Sequence, residues 1–209
     1  MTTCIFFFGG YKASIHDVAM WQGSAADQTS DDVFVFTYAW PAAAPNSDKP
    51  AKSDDTSAVS SFRSAGTFDK AVSDIGSCGA DRIFIVGHSS GCAIANAVDH
   101  AVVDRAVVDQ NKVTLVALDG FPPDDGQLAR PSTQVWAAER NQGGKLFVSR
   151  NHDRLMKKLS SRLKIFNAPS GTTEWALHFS LVNVAADDKI DEPSKGYMNC
   201  RANLRWMTP

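Results

Sequence analysis

Short apolar runs of strand length alternate with helix-length segments along most of this chain. Two of these runs, residues 82–86 and 113–118, consist almost entirely of apolar and β-branched residues, which is typical of strands buried on both faces of a parallel sheet. The alternation predicts an α/β fold of three layers, in which helices cover both faces of a mostly parallel sheet. We expect these two strands to be central.

The remaining elements follow from the same periodicity. The predicted strands are residues 4–8, 33–38, 82–86, 113–118, 134–138 and 163–167, and the predicted helices are residues 16–26, 62–77, 91–103, 152–162 and 173–185. Residues 41–57, rich in Pro, Ala, Asp and Lys, are interpreted as an exposed loop. A turn signal at residues 141–144, Asn-Gln-Gly-Gly, leaves open that residues 134–150 form a hairpin instead.

Composition narrows the class of protein. The 209 residues, 44% apolar and 21% charged, predict one globular domain over residues 1–209. A net charge of -2 gives no basic surface for nucleic acid. No apolar run is long enough to span a bilayer, and the first one ends at Gly9 and Gly10, too early for a signal peptide. The four cysteines are widely spaced, so we expect reduced thiols and a cytoplasmic protein.

The pentapeptide Gly87-His88-Ser89-Ser90-Gly91 lies between a buried strand and a segment of helical propensity. A serine on so sharp a strand-to-helix turn needs glycines two positions away on either side, because larger side chains would collide across the turn. Such a turn presents the Ser89 hydroxyl above the sheet and directs the Ser90 N–H toward an oxyanion. The sequence therefore predicts that Ser89 is an acylated nucleophile.

These features resemble the α/β-hydrolase superfamily, from Cys4 to about residue 185. The segment from Val116 to Pro123 is similar to the one after the sixth strand in thioesterase domains of polyketide and nonribosomal peptide synthases, where a catalytic aspartate lies. The resemblance implies that Asp119 is the triad acid. In other α/β-hydrolases the acid follows the next strand, where this chain has Asn141 in its place, and Asp153 stays open as an alternative.

The superfamily order of serine, acid and histidine points to His178 as the base, with His152 as its rival. The second oxyanion donor is expected to be the N–H of Tyr11, or less favourably that of Gly10, beside the paired glycines after the first strand. No HExxH motif or carboxylate–histidine cluster occurs, so neither metal nor cofactor is expected.

The resemblance implies cleavage of an acyl thioester or ester. Carboxylesterase, acyltransferase or cyclase activity, or a non-catalytic binding role, are the alternatives. Residues 120–133 are too few for the helical lid of synthase thioesterases. An open site of this kind suits a small acyl substrate, free or carried by a protein. Candidate pocket residues are Phe121, Pro122, Pro123, Trp136 and Trp175, each with core packing as the alternative, and residues 195–209 are expected to pack against the sheet. The oligomeric state is not predicted.

Overall fold

Seven strands form one sheet in the computed structural model, which describes residues 1–27, 29, 31–44, 46–53, 55–120, 130, 132–168 and 174–182. The strands are β1 Thr3–Phe8, β2 Val33–Tyr38, β3 Arg82–His88, β4 Val113–Leu118, β5 Gln134–Gln142, β6 Lys145–Val148 and β7 Leu163–Asn167. Their order is β2-β1-β3-β4-β5, and β5 pairs in addition with β6 and β7. Every pairing is parallel except that of β5 with β6. The predicted α/β architecture is confirmed, and β3 and β4 lie at the centre.

Helices cover both faces of this sheet. They are α1 Ile15–Ala26, α2 Asp55–Ser64, α3 Thr67–Ser77, α4 Gly91–Asp104, α5 His152–Leu159 and α6 Glu174–Phe179. The chain moves toward one edge between β1 and β2 and moves back between β2 and β3, so right-handed crossovers place α1 opposite α2, α3 and α4. Cys92 of α4 and Leu155 of α5 share one apolar cluster, whereas Leu177 and Phe179 of α6 belong to the larger core cluster.

The predicted helix over residues 62–77 is two helices. Gly66, with φ of +72°, separates α2 from α3, and a left-handed residue of this kind ends a helix. The helix α2 also begins seven residues earlier than expected, because Ala58 and Phe62 bury one face of a segment whose polar residues indicated a loop. The prediction of an exposed loop over residues 41–57 is therefore wrong in part. Ala51, within this range, is fully buried, and its carbonyl accepts a hydrogen bond from Trp40 Nε1 at 3.0 Å.

The strand predicted over residues 134–138 continues into a hairpin. Strand β5 turns at Gly143 and Gly144, with φ of +59° and +79°, into the antiparallel β6. The carbonyls of Trp136 and Ala138 accept hydrogen bonds from Asp119 N and Ser149 N at 2.8 Å each. Since residues two apart in a strand direct their carbonyls to the same edge, β6 lies beyond the carboxyl end of β4. The hairpin thus extends above the end of the central strands.

Several expectations fall outside the described residues. Of the helix predicted over residues 173–185, α6 accounts for residues 174–179. Residues 195–209 are not described. Most of residues 120–133, the segment judged too short for a helical lid, are not described either. Cys4, Cys78 and Cys92 form no disulfide within the described part of the chain. In the described part of the chain, every helix is too short or too polar to span a membrane.

Candidate active site

Ser89 lies on a sharp turn between β3 and α4. Its φ of +54° is in the left-handed region, a strained conformation for a residue with a side chain. The turn is held by a hydrogen bond of 3.0 Å from Ser89 N to Leu118 O at the end of β4. Ser90 then precedes the first turn of α4. The backbone thus has the strand-to-helix elbow that the pentapeptide predicts.

The glycines of the pentapeptide permit two close approaches. A Cβ on Gly87 would lie 2.4 Å from Cys92 Cα, and one on Gly91 would lie 2.4 Å from Phe8 O and 2.6 Å from Gly9 O. Cβ atoms are not found this close to backbone, so neither position accepts a larger residue without movement of β1 or α4. These contacts give the glycine spacing its physical reason.

Asp119 follows β4 directly, as Ser89 follows the end of β3, and Leu118 pairs with His88. Its side chain is fully buried, and its φ is +41°, a left-handed conformation that aspartate tolerates better than most residues. One carboxylate oxygen accepts a hydrogen bond from Ser149 Oγ at 2.8 Å. The other accepts one from His178 Nδ1. Asp119 and His178, which the sequence places 59 residues apart, are thereby joined.

His178 lies near the end of α6 and is 1% exposed. In the neutral ring, its bond to Asp119 takes the proton on Nδ1, so Nε2 carries the lone pair. His88 packs against His178. The two ring centroids are 4.5 Å apart, and His88 Nε2 is 2.9 Å from His178 O. Burial, with the neighbouring His178 ring, lowers the pKa of His88 well below its ordinary value. A neutral His88 with its proton on Nε2 donates to that carbonyl.

Two residues in the short connection between β6 and α5 hold Asp119 and were not found from the sequence. Ser149 Oγ accepts a hydrogen bond from Ala138 N at 3.1 Å while donating to Asp119. Asn151 donates through Nδ2 to Asp119 O at 2.7 Å, and through its backbone N–H to the carboxylate at 3.3 and 3.4 Å. The turn signal at residues 141–144 predicts the hairpin but not this contact, because no local pattern relates residues 30 positions apart.

The rival residues lie in a different cluster. His152 Nδ1 is 3.2 Å from Asp153 Oδ1, and His152 Nε2 is 3.7 Å from Glu139 Oε2. The Asp153 side chain is 82% exposed, on the first turn of α5. Asn141 is exposed on the hairpin. The asparagine that contacts Asp119 is Asn151.

The loop after β1 lies against the elbow. A Cβ on Gly10 would be 3.0 Å from Ser89 Cβ and 3.6 Å from Ser89 Oγ, so this backbone approaches the nucleophile closely. Tyr11 follows in a turn, and neither its N–H nor that of Ser90 donates a hydrogen bond to any of the described residues. The loop that is predicted to carry the second oxyanion donor therefore lies against the elbow.

The remaining predicted pocket residues are described only in part. Trp136 is half-buried and packs against the core, with Lys164 Nζ 5.2 Å from its ring centroid. Phe121, Pro122 and Pro123 lie outside the described residues, as does the side chain of Trp175. Within the described part of the chain, no group of three or more His, Cys, Asp or Glu side chains is arranged to hold a metal ion.

Comparison with known proteins finds similarity in structure alone. No protein-family model and no curated protein matches the chain. ClbQ from the colibactin NRPS/PKS pathway is 18% identical over 59% of this chain and 46% of its own, with a TM-score of 0.41. A lipase-esterase related protein from Clostridium acetobutylicum is 14% identical over 56% and 42%, with a TM-score of 0.34. A proposed hydrolase of the α/β superfamily from Xanthomonas campestris is 12% identical over 80% and 87%, with a TM-score of 0.43.

The chain spans less than half the length of the first two of these proteins. The fold is assigned from the topology of this chain itself. The strand order β2-β1-β3-β4-β5-β7, parallel throughout, places a left-handed serine between β3 and its following helix, at the carboxyl edge of the sheet where α/β proteins bind ligands. By this strand order and this elbow, the chain has the α/β-hydrolase fold.

Proposed function

We propose that this protein is a serine hydrolase that cleaves an acyl thioester or ester through an acyl-enzyme on Ser89. The observation that carries the proposal is the buried hydrogen bond between Asp119 and His178, at the same sheet edge as the strained elbow serine. A buried carboxylate paired with a histidine is the arrangement that orients an imidazole to act on a nucleophile.

The proposed reaction begins with transfer of the Ser89 Oγ proton to His178 Nε2. Ser89 attacks the acyl carbonyl, and the Tyr11 and Ser90 N–H groups stabilise the oxyanion. Each such donor typically contributes about 10²–10³ in rate. The leaving thiol or alcohol takes the proton from His178, which leaves an ester on Ser89. His178 then deprotonates a water molecule, which attacks that ester. The bond between the acyl carbon and Ser89 Oγ breaks, Ser89 Oγ takes the proton back from His178, and the acid is released.

Asp119 has two tasks in this reaction. Its carboxylate holds the proton of His178 on Nδ1, and it stabilises the imidazolium that forms when Ser89 loses its proton. Ser149 and Asn151 satisfy its other acceptor sites, so the carboxylate is held in one orientation. The neutral His88 ring adds no positive charge beside the imidazolium.

The test is turnover of an acyl N-acetylcysteamine thioester and a p-nitrophenyl ester, with fluorophosphonate labelling of the serine. We expect labelling and turnover in the wild type and neither in Ser89→Ala. In Asp119→Asn, kcat should fall by about 10⁴, because asparagine favours the wrong tautomer of the histidine. The matched control Asp153→Asn, on the exposed first turn of α5, should retain activity.

Either of two results would contradict the proposal: turnover that survives in Ser89→Ala, or a folded wild type that resists the fluorophosphonate. The second result would favour a binding protein with this fold, since such a protein has no activated serine. If labelling and turnover both depend on Ser89, the ratio of thioester to ester turnover distinguishes thioesterase from esterase activity.

A further inference from the structure

Arg140 is a buried cation with no counter-charge among the described residues. It is 8% exposed, and its buried Nε and Nη2 atoms have no hydrogen-bond partner there. Its guanidinium lies over the ring of Phe147, 5.2 Å from the centroid, which is its cross-strand partner in the hairpin. A ring stabilises a cation far less than an anion does. Burying a charge is strongly unfavourable unless it is paired.

The residues around Arg140 do not supply the anion. Glu139, its neighbour in β5, points to the opposite face of the strand, where it lies 3.7 Å from His152. Asp119 is engaged by His178, Ser149 and Asn151. Arg130, the other arginine with a buried and unpartnered nitrogen, has Asp99 at 3.4 Å. Arg140 thus differs from Arg130 in lacking a carboxylate within the described chain.

Arg140 lies at the same sheet edge as the proposed catalytic residues. Leu118 pairs with Trp136, so Asp119 is level with Ala137, and Arg140 is three residues further, about 10 Å along the strand. The helix α6, which carries His178, packs against both strands of the hairpin. Arg140 and the proposed base therefore lie on neighbouring elements at this edge of the sheet.

We propose that Arg140 binds a carboxylate at the far end of the acyl group, so that the enzyme selects short dicarboxylic acyl chains. The proposal rests on the function proposed above, because the acyl group is defined by its bond to Ser89. The planar guanidinium holds a carboxylate through two parallel hydrogen bonds. Arg140 is about 10 Å along β5 from the level of Asp119 and, two strands away, about 10 Å across from β3. A short acyl chain and the arginine side chain can span this separation together.

The experiment compares glutaryl N-acetylcysteamine thioester with its neutral carboxamide analogue. We expect the wild type to prefer the glutaryl substrate in kcat/KM, and Arg140→Met to lose about 10- to 100-fold of that preference, the factor for one charge-assisted hydrogen-bonded pair. Turnover of the carboxamide should fall less than turnover of the glutaryl substrate, because its amide oxygen accepts only an uncharged hydrogen bond from Arg140. The matched control Lys145→Met removes an exposed cation from the same hairpin and should keep the wild-type preference.

A second arm separates two sources of the anion. Butyryl thioesters of pantetheine and of 4′-phosphopantetheine differ only in a phosphate on the leaving group. Equal turnover of these two by wild type and Arg140→Met agrees with an acyl carboxylate as the ligand. A preference for the phosphate that disappears in Arg140→Met would overturn the acyl assignment.

Stability and binding give readouts that do not need turnover. If Arg140 binds a carboxylate ligand, Arg140→Met folds with an unchanged or higher Tm, and glutarate raises the Tm of the wild type but not of the variant. A large fall in Tm on substitution, or the same glutarate shift in both proteins, would overturn the proposal. If glutarate shifts only the wild-type Tm while Ser89 stays unlabelled by fluorophosphonate, the proposed hydrolase function fails and the anion site stands.

Discussion

At Gly91, the methyl group of an alanine would push two elements of the fold apart. A Cβ at this position would lie 2.4 Å from Phe8 O, so α4 and β1 would have to separate. We expect Gly91→Ala to lower the free energy of unfolding by about 3 kcal/mol and to reduce acyl turnover through displacement of the elbow. Urea unfolding of the purified variant measures the first effect.

Gly23 supplies the matched control for that substitution. It lies on an exposed face of α1, and a Cβ there meets nothing within 4 Å. Alanine at this helical position should raise the free energy of unfolding by about 0.5–1 kcal/mol. Equal stability of Gly91→Ala and Gly23→Ala would mean that the elbow tolerates a side chain, contrary to the contacts described above.

At the scale of elements, the β5–β6 hairpin acts as an arm that holds the proposed triad acid. We expect Ser149→Ala to lower kcat about tenfold, because Asp119 loses one hydrogen bond and Ala138 N loses its acceptor. Since Ser149 does not touch the substrate in this mechanism, KM should change little. Steady-state kinetics on the thioester test this split between kcat and KM.

Ser160→Ala, an exposed position just after α5, is the control for loss of a serine hydroxyl. Ser149→Thr keeps the hydroxyl and should recover part of the lost kcat. An alanine variant with wild-type kcat would show that Asp119 is held without the hairpin.

At the scale of the whole molecule, the ion pair of Asp99 and Arg130 makes stability depend on pH. Asp99 is fully buried in α4, 3.4 Å from Arg130 Nε. Burial raises the pKa of Asp99 to about 6, since it disfavours the carboxylate more than Arg130 and His100 favour it. The folded protein thus holds this proton more tightly than the unfolded chain. The resulting stabilisation is full below pH 3.8 and is lost as the pH rises through about 6.

The effect is testable with Asp99→Asn, which cannot titrate. The raised pKa corresponds to about 3 kcal/mol. The wild type should therefore lose up to this amount of unfolding free energy relative to the variant between pH 4 and pH 7, measured by urea titration at each pH. Asp69→Asn, exposed on α3, should follow the wild type. A constant difference between wild type and Asp99→Asn across this range would contradict the prediction.

Much of the fold follows from local patterns in the sequence. The bounds of β2, β4 and β7 agree with the apolar runs, and the elbow follows from glycine spacing between a strand and a helix. Errors occurred where burial overrides composition, as in α2, whose polar residues indicated a loop. The hairpin stayed ambiguous because the first six residues of β5 pair in parallel and the last four pair antiparallel, with Glu139 in both sets.

The sequence by itself determined the strands, the elbow and the candidates Ser89, Asp119 and His178, because each depends on residues close together in the chain or on their order. Only the tertiary structure decided between Asp119 and Asp153 as the partner of His178. It alone brought Ser149 and Asn151 to Asp119 and left Arg140 buried without a carboxylate among the described residues. The physical reason is that hydrogen bonding and desolvation depend on which distant residues the sheet brings together, and local sequence does not encode those distances.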